Sequence, residues 1–527
     1  MKPRPLLQNF TALGLGCLLL GALCLPTRVL GEKDLSDSDS FQVSDWAAQW
    51  IGRNNPATVP ALGQQAPAPL LRKEFTLDHS IARATLRICG LGFYEAYING
   101  QRVGDQVLDP PPTVYNDTAL YAAFDVSDLV RPGANAIGVM LGRGYFGATA
   151  SDGFNLGFAP WRNEPRLLLQ LDITYRNGQT ERVVTDGTWQ MADGPVLDSM
   201  TFGEHYDARL EQPGWTLPGF NASTWTAVPV QPSPTKKLLP RAMESIKIVD
   251  TLTPVAVSTP QPGVTVYDFG RLTAGWERIF TRGQSGTTIT LVLGETLNSD
   301  GTVYQLAPQE HLDTYTLSGR GNETWEPQFM RHGFRYVQVS YSPVAPSVFL
   351  IEARINHTAV ESRGDFVCSN DLLNQLHQNQ RTTVLNNLWG LPTDTPWRDR
   401  QGWTADAYLY MTSAVENFGM KRFYDQWLRT FRESQKPDGG LPVITPAADP
   451  FPVYTDPSWS GTLILDTWQL YQDYGDRGLV KDNYDAMSRW MNLMASTIAS
   501  TGNIYKSFSF GDWGGARHGD KECTTPA

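Results

Sequence analysis

The hydrophobic positions of this chain change period once. From about residue 46 to about residue 355 they alternate with polar ones in short runs broken by Gly, Pro, Asn and Asp, the spacing of half-buried strands joined by turns. The clearest case is Phe93-Tyr-Glu-Ala-Tyr-Ile98, then Asn99-Gly100, then Gln-Arg-Val103. Asn-Gly between two alternating runs predicts a tight type I′ hairpin, because both turn positions need positive φ. The Pro-rich stretch 230–240 reads as a linker. A first β-sandwich of jelly-roll or related type is therefore expected over 46–240 and a second β-sandwich over 241–357, with strands at 264–270, 287–293 and 334–340.

Past Ser369 the period becomes helical. Ser369 or Asn370 can cap a helix whose apolar stripe is Leu372, Leu373, Leu376, Val384, Leu385 and Leu388, closed by Gly390 and Pro392. Further helices are predicted at 404–418, 420–435, 461–474 and 479–500. Residues 358–527 thus form an all-helical block whose connections are long and rich in Gly, Pro, Asp and Trp. Binding residues gather on such loops.

Composition fits several globular domains in one chain of 527 residues, with 41% hydrophobic and 18% charged residues. A net charge of -11, without any dense Lys/Arg cluster, argues against a nucleic-acid partner. Residues 1–31 read as an export signal: Lys2 and Arg4 precede an apolar core over 12–25, and Val29-Leu30-Gly31 ends in a small residue. That core is short against the roughly 20 residues of a membrane span. A secreted or periplasmic protein with no stable membrane span after cleavage is expected. Cys89, Cys368 and Cys523 are too widely spaced for a disulfide framework or a metal site and read as free buried thiols.

The chemistry concentrates in Asp394-Thr-Pro-Trp-Arg-Asp399-Arg-Gln-Gly-Trp403-Thr-Ala-Asp406, which holds three carboxylates, two arginines and two tryptophans. Singly, Asp394 could cap a turn, Asp406 could favour a helix N-terminus, Arg398 and Arg400 could pair with them, and Trp403 could be core. Together they suit a sugar-cleaving site. One carboxylic acid protonates the leaving oxygen, others hold hydroxyls, and tryptophans wall the C–H faces of the ring. No His-Glu-x-x-His, Cys-x-x-Cys, Gly-x-Ser-x-Gly or phosphate loop is present in the sequence, so no catalytic metal or cofactor is expected.

Read in order, the segments resemble bacterial α-L-rhamnosidases of glycoside hydrolase family 78. The likeness runs through Gly92-Phe-Tyr-Glu-Ala-Tyr-Ile-Asn-Gly-Gln-Arg-Val-Gly-Asp105, Ala134-Asn-Ala-Ile-Gly138 and Gly203-Glu-His-Tyr-Asp-Ala-Arg209. It continues through Asp268-Phe-Gly-Arg-Leu-Thr-Ala-Gly-Trp276, Asp313-Thr-Tyr-Thr-Leu317, Trp325-Glu-Pro-Gln-Phe329 and His332-Gly-Phe-Arg-Tyr336. The resemblance implies two β-sandwich domains followed by an (α/α)6 barrel, and hydrolysis of terminal α-L-rhamnose with inversion. In the family an acidic residue four before a Trp and seven before an Asp is the general acid, which carries that role to Asp399. By the same spacing Asp394, Arg398, Trp403 and Asp406 inherit sugar-binding roles; Asp456, Trp459, Asp512 and Trp513 lie in segments resembling other pocket loops. Some relatives hold calcium in a carbohydrate-binding β module, so calcium stays open with no ligands assigned.

Two departures accompany the resemblance. Asp399 stands where the family usually has Glu, shortening its reach by about 1.5 Å, and Arg398 and Arg400 beside it would lower its pKa where an acid needs it raised. Five predicted helices are too few for six helical hairpins. The family's general base, a Glu of the later half of the barrel, has no candidate here, which suggests a chain truncated within the barrel, with apolar helix faces left exposed. The alternatives are a secreted carbohydrate-binding protein without catalysis, or another exo-glycosidase or polysaccharide lyase on the same barrel.

Overall fold

The computed structural model describes residues 45–53, 66–149, 154, 156–197, 203–305, 311–448, 454–500 and 510. The expected export signal, Asp512, Trp513 and Cys523 lie outside them. The described part is a sheet-rich region followed by a helical domain of five helices.

Two sheets pack face to face in the first β block. One is six-stranded, with Arg166–Tyr175 between Ile81–Leu91 and Ile51–Gly52, and Thr118–Asp125 on the far side of Ile81–Leu91. The other contains Pro67–Leu77, Gly133–Gly142 and Phe93–Ile98. Their period-2 patterns meet in one core: Leu86, Ile88, Leu167, Leu169 and Leu171 from the first sheet, Leu71, Ala96, Ile98, Ile137 and Val139 from the second. The predicted hairpin is present, with Ile98 paired to Gln101 and φ of 52° at Asn99 and 83° at Gly100.

The second block carries the expected strands as Val264–Arg282, Thr288–Gly294 and His332–Ser342, joined by Val348–Thr358 around a core that includes Ile279, Leu291, Phe334 and Val339. It is not a separate sheet. His205–Asp207 runs parallel to Leu312–Thr316, so the second sheet continues from the first block into this one. The stretch 230–240 also differs from a linker: Lys237–Pro240 pairs in parallel with Thr118–Asp125, an edge position where proline costs no ladder bond.

The helices are α1 (Asp371–Asn386), α2 (Thr404–Asn417), α3 (Lys421–Glu433), α4 (Thr462–Tyr474) and α5 (Arg477–Ala499). Asn370, not Ser369, caps α1: its side chain accepts the N–H groups of Leu372 and Leu373. Val384 and Leu388 are buried as expected, but Leu372, Leu373 and Leu376 are exposed, as are Leu409, Leu465 and Trp468 elsewhere on the helices. The buried aromatics of α3 join residues of the first β block in one continuous core. Cys89 is a buried free thiol; Cys368 is free but only half-buried. No helix among the described residues is long and apolar enough to cross a membrane.

Candidate active site

The loop from α1 to α2 is closed by its own hydrogen bonds. Asp394 N–H donates to the Gln401 carbonyl at 3.1 Å, and Gln401 N–H returns to Asp394 Oδ1 at 3.0 Å. Inside this neck Thr395 Oγ1 donates to the Arg398 carbonyl. Asp399 and Arg400 both take left-handed backbone, with φ of 38° and 56°. Such residues cost on the order of 1 kcal/mol each and persist only where the surroundings hold them. The hold is visible. Tyr145 Oη donates to the Arg400 carbonyl at 2.7 Å, Arg400 Nη1 donates to the Arg331 carbonyl at 3.2 Å, and Gln401 Nε2 donates to the Asp399 carbonyl. Both β blocks therefore grip the turn that presents Asp399.

The start of α2 is tied as firmly. Thr404 Oγ1 donates to the Trp459 carbonyl, Thr404 N–H to the Val443 carbonyl, and Trp403 bridges to Ile444. These bonds bring the loop before α4 against the first turn of α2.

A cavity of about 430 Å³ results, lined by Phe154, Asp394, Thr395, Arg398, Asp399, Trp403, Asp406, Trp459 and Phe510. Six residues chosen from the sequence, Asp394, Arg398, Asp399, Trp403, Asp406 and Trp459, share it. Asp456 does not line it. It is fully buried, and its carboxylate accepts the backbone N–H groups of Ser458, Trp459 and Phe510. Asp456 shapes the wall by fastening the Trp459 and Phe510 backbones. Sequence reasoning missed Thr395, Phe154 and Phe510. Thr395 stood inside the motif; the two phenylalanines come from distant segments. Phe154 meets Trp403 edge-on at 6.1 Å, and Phe510 meets Trp403 at 5.4 Å and Trp459 at 5.2 Å. The wall is thus a continuous aromatic surface facing carboxylates, suited to a ring with one apolar face and several hydroxyls.

A larger open depression of about 800 Å³, lined by Arg87, Asp172 and Arg182 among others, lies on the first β block. Its charges satisfy one another, since both arginines pair with Asp172 at 2.8 and 2.6 Å.

Arg398 Nε lies 3.5 Å from Asp399 Oδ1 with the arginine side chain half exposed, while Arg400 turns into the protein. The pKa values of Asp394 and Asp406 are raised. Burial, opposed by the Gln401 N–H and reinforced by Asp399, pushes Asp394 up to about 7. Burial likewise raises Asp406, tempered first by its own backbone N–H. A folded-state pKa above the unfolded value of a carboxyl has a defined sign: both states are protonated at pH below about 4, and stability falls as pH rises toward 7 because only the unfolded state ionises freely. Asp394→Asn keeps the acceptor for Gln401 and removes this cost. It should flatten the fall in urea-unfolding stability between pH 4.5 and 8 by an amount on the order of 2 to 4 kcal/mol. An unchanged pH profile would mean Asp394 ionises without penalty.

A sheet-rich front leads into a helical domain, with this cavity on the first interhelical loop, the layout of a multidomain protein. Residues 79–250 match the α-L-rhamnosidase N-terminal domain, 258–360 the bacterial α-L-rhamnosidase concanavalin-like domain, and 361–527 the bacterial α-L-rhamnosidase six-hairpin glycosidase domain. The chain belongs to the bacterial α-L-rhamnosidases of glycoside hydrolase family 78. A curated α-L-rhamnosidase of Streptomyces avermitilis is 36% identical over 491 residues, 92% of this chain and 46% of that protein. The solved α-L-rhamnosidase of Dictyoglumus thermophilum superposes with a TM-score of 0.83 at 36% identity, over 91% of this chain and 55% of that one. The Streptomyces avermitilis α-L-rhamnosidase complexed with L-rhamnose superposes with a TM-score of 0.79 at 34% identity, over 85% of this chain and 44% of that one. The chain spans about half the length of the curated relatives it matches.

Proposed function

We propose that this cavity is the acid side of an inverting α-L-rhamnosidase site, built at the start of an (α/α)6 barrel. The observation that carries the reading is the convergence of Asp394, Asp399, Asp406 and two tryptophans on one cavity. Asp399 protonates the glycosidic oxygen as the bond to C1 breaks. The inverting reading requires a second carboxylate as general base, a glutamate in the family this chain resembles. It activates water on the opposite face, at a carboxyl separation of roughly 6.5 to 9.5 Å. Trp403 and Trp459 cover the ring or the C6 methyl, and Asp394, Arg398 and Asp406 hold hydroxyls. The substrate class is a rhamnose-ended glycoside, oligosaccharide or polysaccharide, and the site of action is outside the cytoplasm.

The test has two parts. L-Rhamnose titrated into the chain should perturb tryptophan fluorescence saturably. An aryl α-L-rhamnoside that is turned over should give the β anomer as first product by NMR. Binding without any turnover would instead support the carbohydrate-binding reading, and neither binding nor turnover would remove the site.

One observation favours a second assignment within the same site. Asp394, with its pKa near 7, is protonated through much of the range where an acid works, so it is the rival donor. Loss of turnover in Asp394→Asn with retention in Asp399→Asn would transfer the acid role to it.

A further inference from the structure

The turn that presents Asp399 rests on a network of buried polar side chains in the second β block. His311, Asp313 and His332 are 2%, 0% and 0% exposed. His332 Nε2 lies 2.7 Å from Asp313 Oδ2, and His332 Nδ1 lies 3.0 Å from His311 Nδ1. Asp313 Oδ1 accepts the Glu204 N–H at 2.6 Å, which anchors the carboxylate to the adjoining segment. The far end of the chain is aromatic: the His311 ring stacks on Trp397 with centroids 5.9 Å apart and planes 21° apart. Trp397 precedes Asp399 by two residues.

The neighbouring backbone makes the same approach. A Cβ on Gly333 would meet the Pro396 carbonyl carbon at 2.7 Å and the Trp397 nitrogen at 2.8 Å, so the loop lies directly on the strand where a side chain is missing. Arg331 accepts from Arg400 through its carbonyl. Three consecutive residues, Arg331, His332 and Gly333, thus lead to loop positions 396–400. Apolar side chains would fill a β core at lower desolvation cost, and a chain of hydrogen-bonded polar groups instead fixes one geometry.

We propose that the Asp313–His332–His311 chain is a positioning device: it sets the angle of the His311 ring, the ring holds Trp397, and Trp397 holds the left-handed turn of Asp399 and Arg400 toward the cavity. The catalytic meaning of this device rests on the reading of Asp399 as the acid; the mechanical claim does not. Burial, and next the Arg400 guanidinium, push the His311 pKa well below the ordinary histidine value, so the ring that stacks on the indole is neutral.

Hydrogen exchange of the Asp394 and Gln401 amides, which close the neck of the loop, tests the claim. His311→Ala should speed both by about 10-fold or more, with the amides of Thr288–Gly294 and Val264–Arg282 unchanged. His311→Phe restores a ring against Trp397 and should stay within about 3-fold of the parent. Trp397→Leu removes the contact from the loop side, outside the β core, and decides the matter if His311→Ala fails to fold. L-Rhamnose affinity should fall in step with loop exchange. Unchanged exchange at 394 and 401 in these variants overturns the proposal, as does an equal rise throughout the β block. If the parent chain binds no L-rhamnose, the sugar-site reading falls while the exchange data still decide the positioning claim.

Discussion

Asp399→Asn should lower turnover of an alkyl α-L-rhamnoside by about 10²- to 10⁴-fold, the range that general acids contribute, while L-rhamnose affinity changes only a few-fold. The substitution is nearly isosteric and removes the proton that the leaving oxygen needs. It leaves the loop intact, because the bonds that hold the turn use the carbonyls of Asp399 and Arg400 and the Asp394–Gln401 neck, not the Asp399 carboxylate. Leaving-group dependence supplies the sharper measurement. A nitrophenyl leaving group needs little protonation, so its turnover should suffer far less than that of the alkyl glycoside. Equal losses on both would point to a binding or positioning defect. Asp399→Glu restores the methylene that most of the family carries and should retain activity, since the acid regains about 1.5 Å of reach.

The candidate site was legible because its central residues are local. Asp394, Arg398, Asp399, Trp403 and Asp406 lie within one loop and the first turn of the next helix, where a cluster of acids, arginines and tryptophans and the family resemblance both single them out. The Asn99-Gly100 hairpin and the five helices were legible for the same reason, since turn chemistry and 3.6-residue periodicity act over short distances. What the sequence hid depends on tertiary contact. Phe154 and Phe510 reach Trp403 from segments far apart in sequence, and no local pattern marks either one. Asp456 lies outside the cavity lining for a reason that no local pattern marks, since its carboxylate accepts three backbone N–H groups. The stretch 230–240 was rich in proline yet supplies an edge strand, because an edge tolerates the missing donor. The stripe of α1 predicted the correct helix and the wrong buried extent, since Leu372, Leu373 and Leu376 find no covering partner among the described residues.

The largest expected loss of stability lies in the first β block, at an ion pair that also reaches the site. Arg143 and Glu164 are each 1% exposed, with guanidinium-to-carboxylate distances of 3.2 to 3.3 Å. Replacing a buried pair by apolar residues can be neutral, but removing one partner of such a pair typically costs about 3 to 5 kcal/mol. Glu164→Ala should therefore lower urea-unfolding stability by about that amount, and Glu164→Gln by less, because an amide oxygen still accepts from the guanidinium. The effect should reach function through the backbone. Arg143 leads through Gly144, whose φ is 49°, to Tyr145, and Tyr145 Oη holds the Arg400 carbonyl beside Asp399. A Glu164→Ala protein measured well below its unfolding midpoint should thus show weaker L-rhamnose binding, whereas Tyr145→Phe, which removes only the final hydrogen bond, should weaken binding with a stability loss of about 1 kcal/mol. A loss below about 1 kcal/mol in Glu164→Ala would show that Arg143 keeps its compensation from its other contacts or from solvent, and that Glu164 is not its main support. Wild-type binding in Tyr145→Phe would separate this ion pair from the site. The two variants together measure how much of the Asp399 turn is held from the β side, where no part of the sugar-site motif resides.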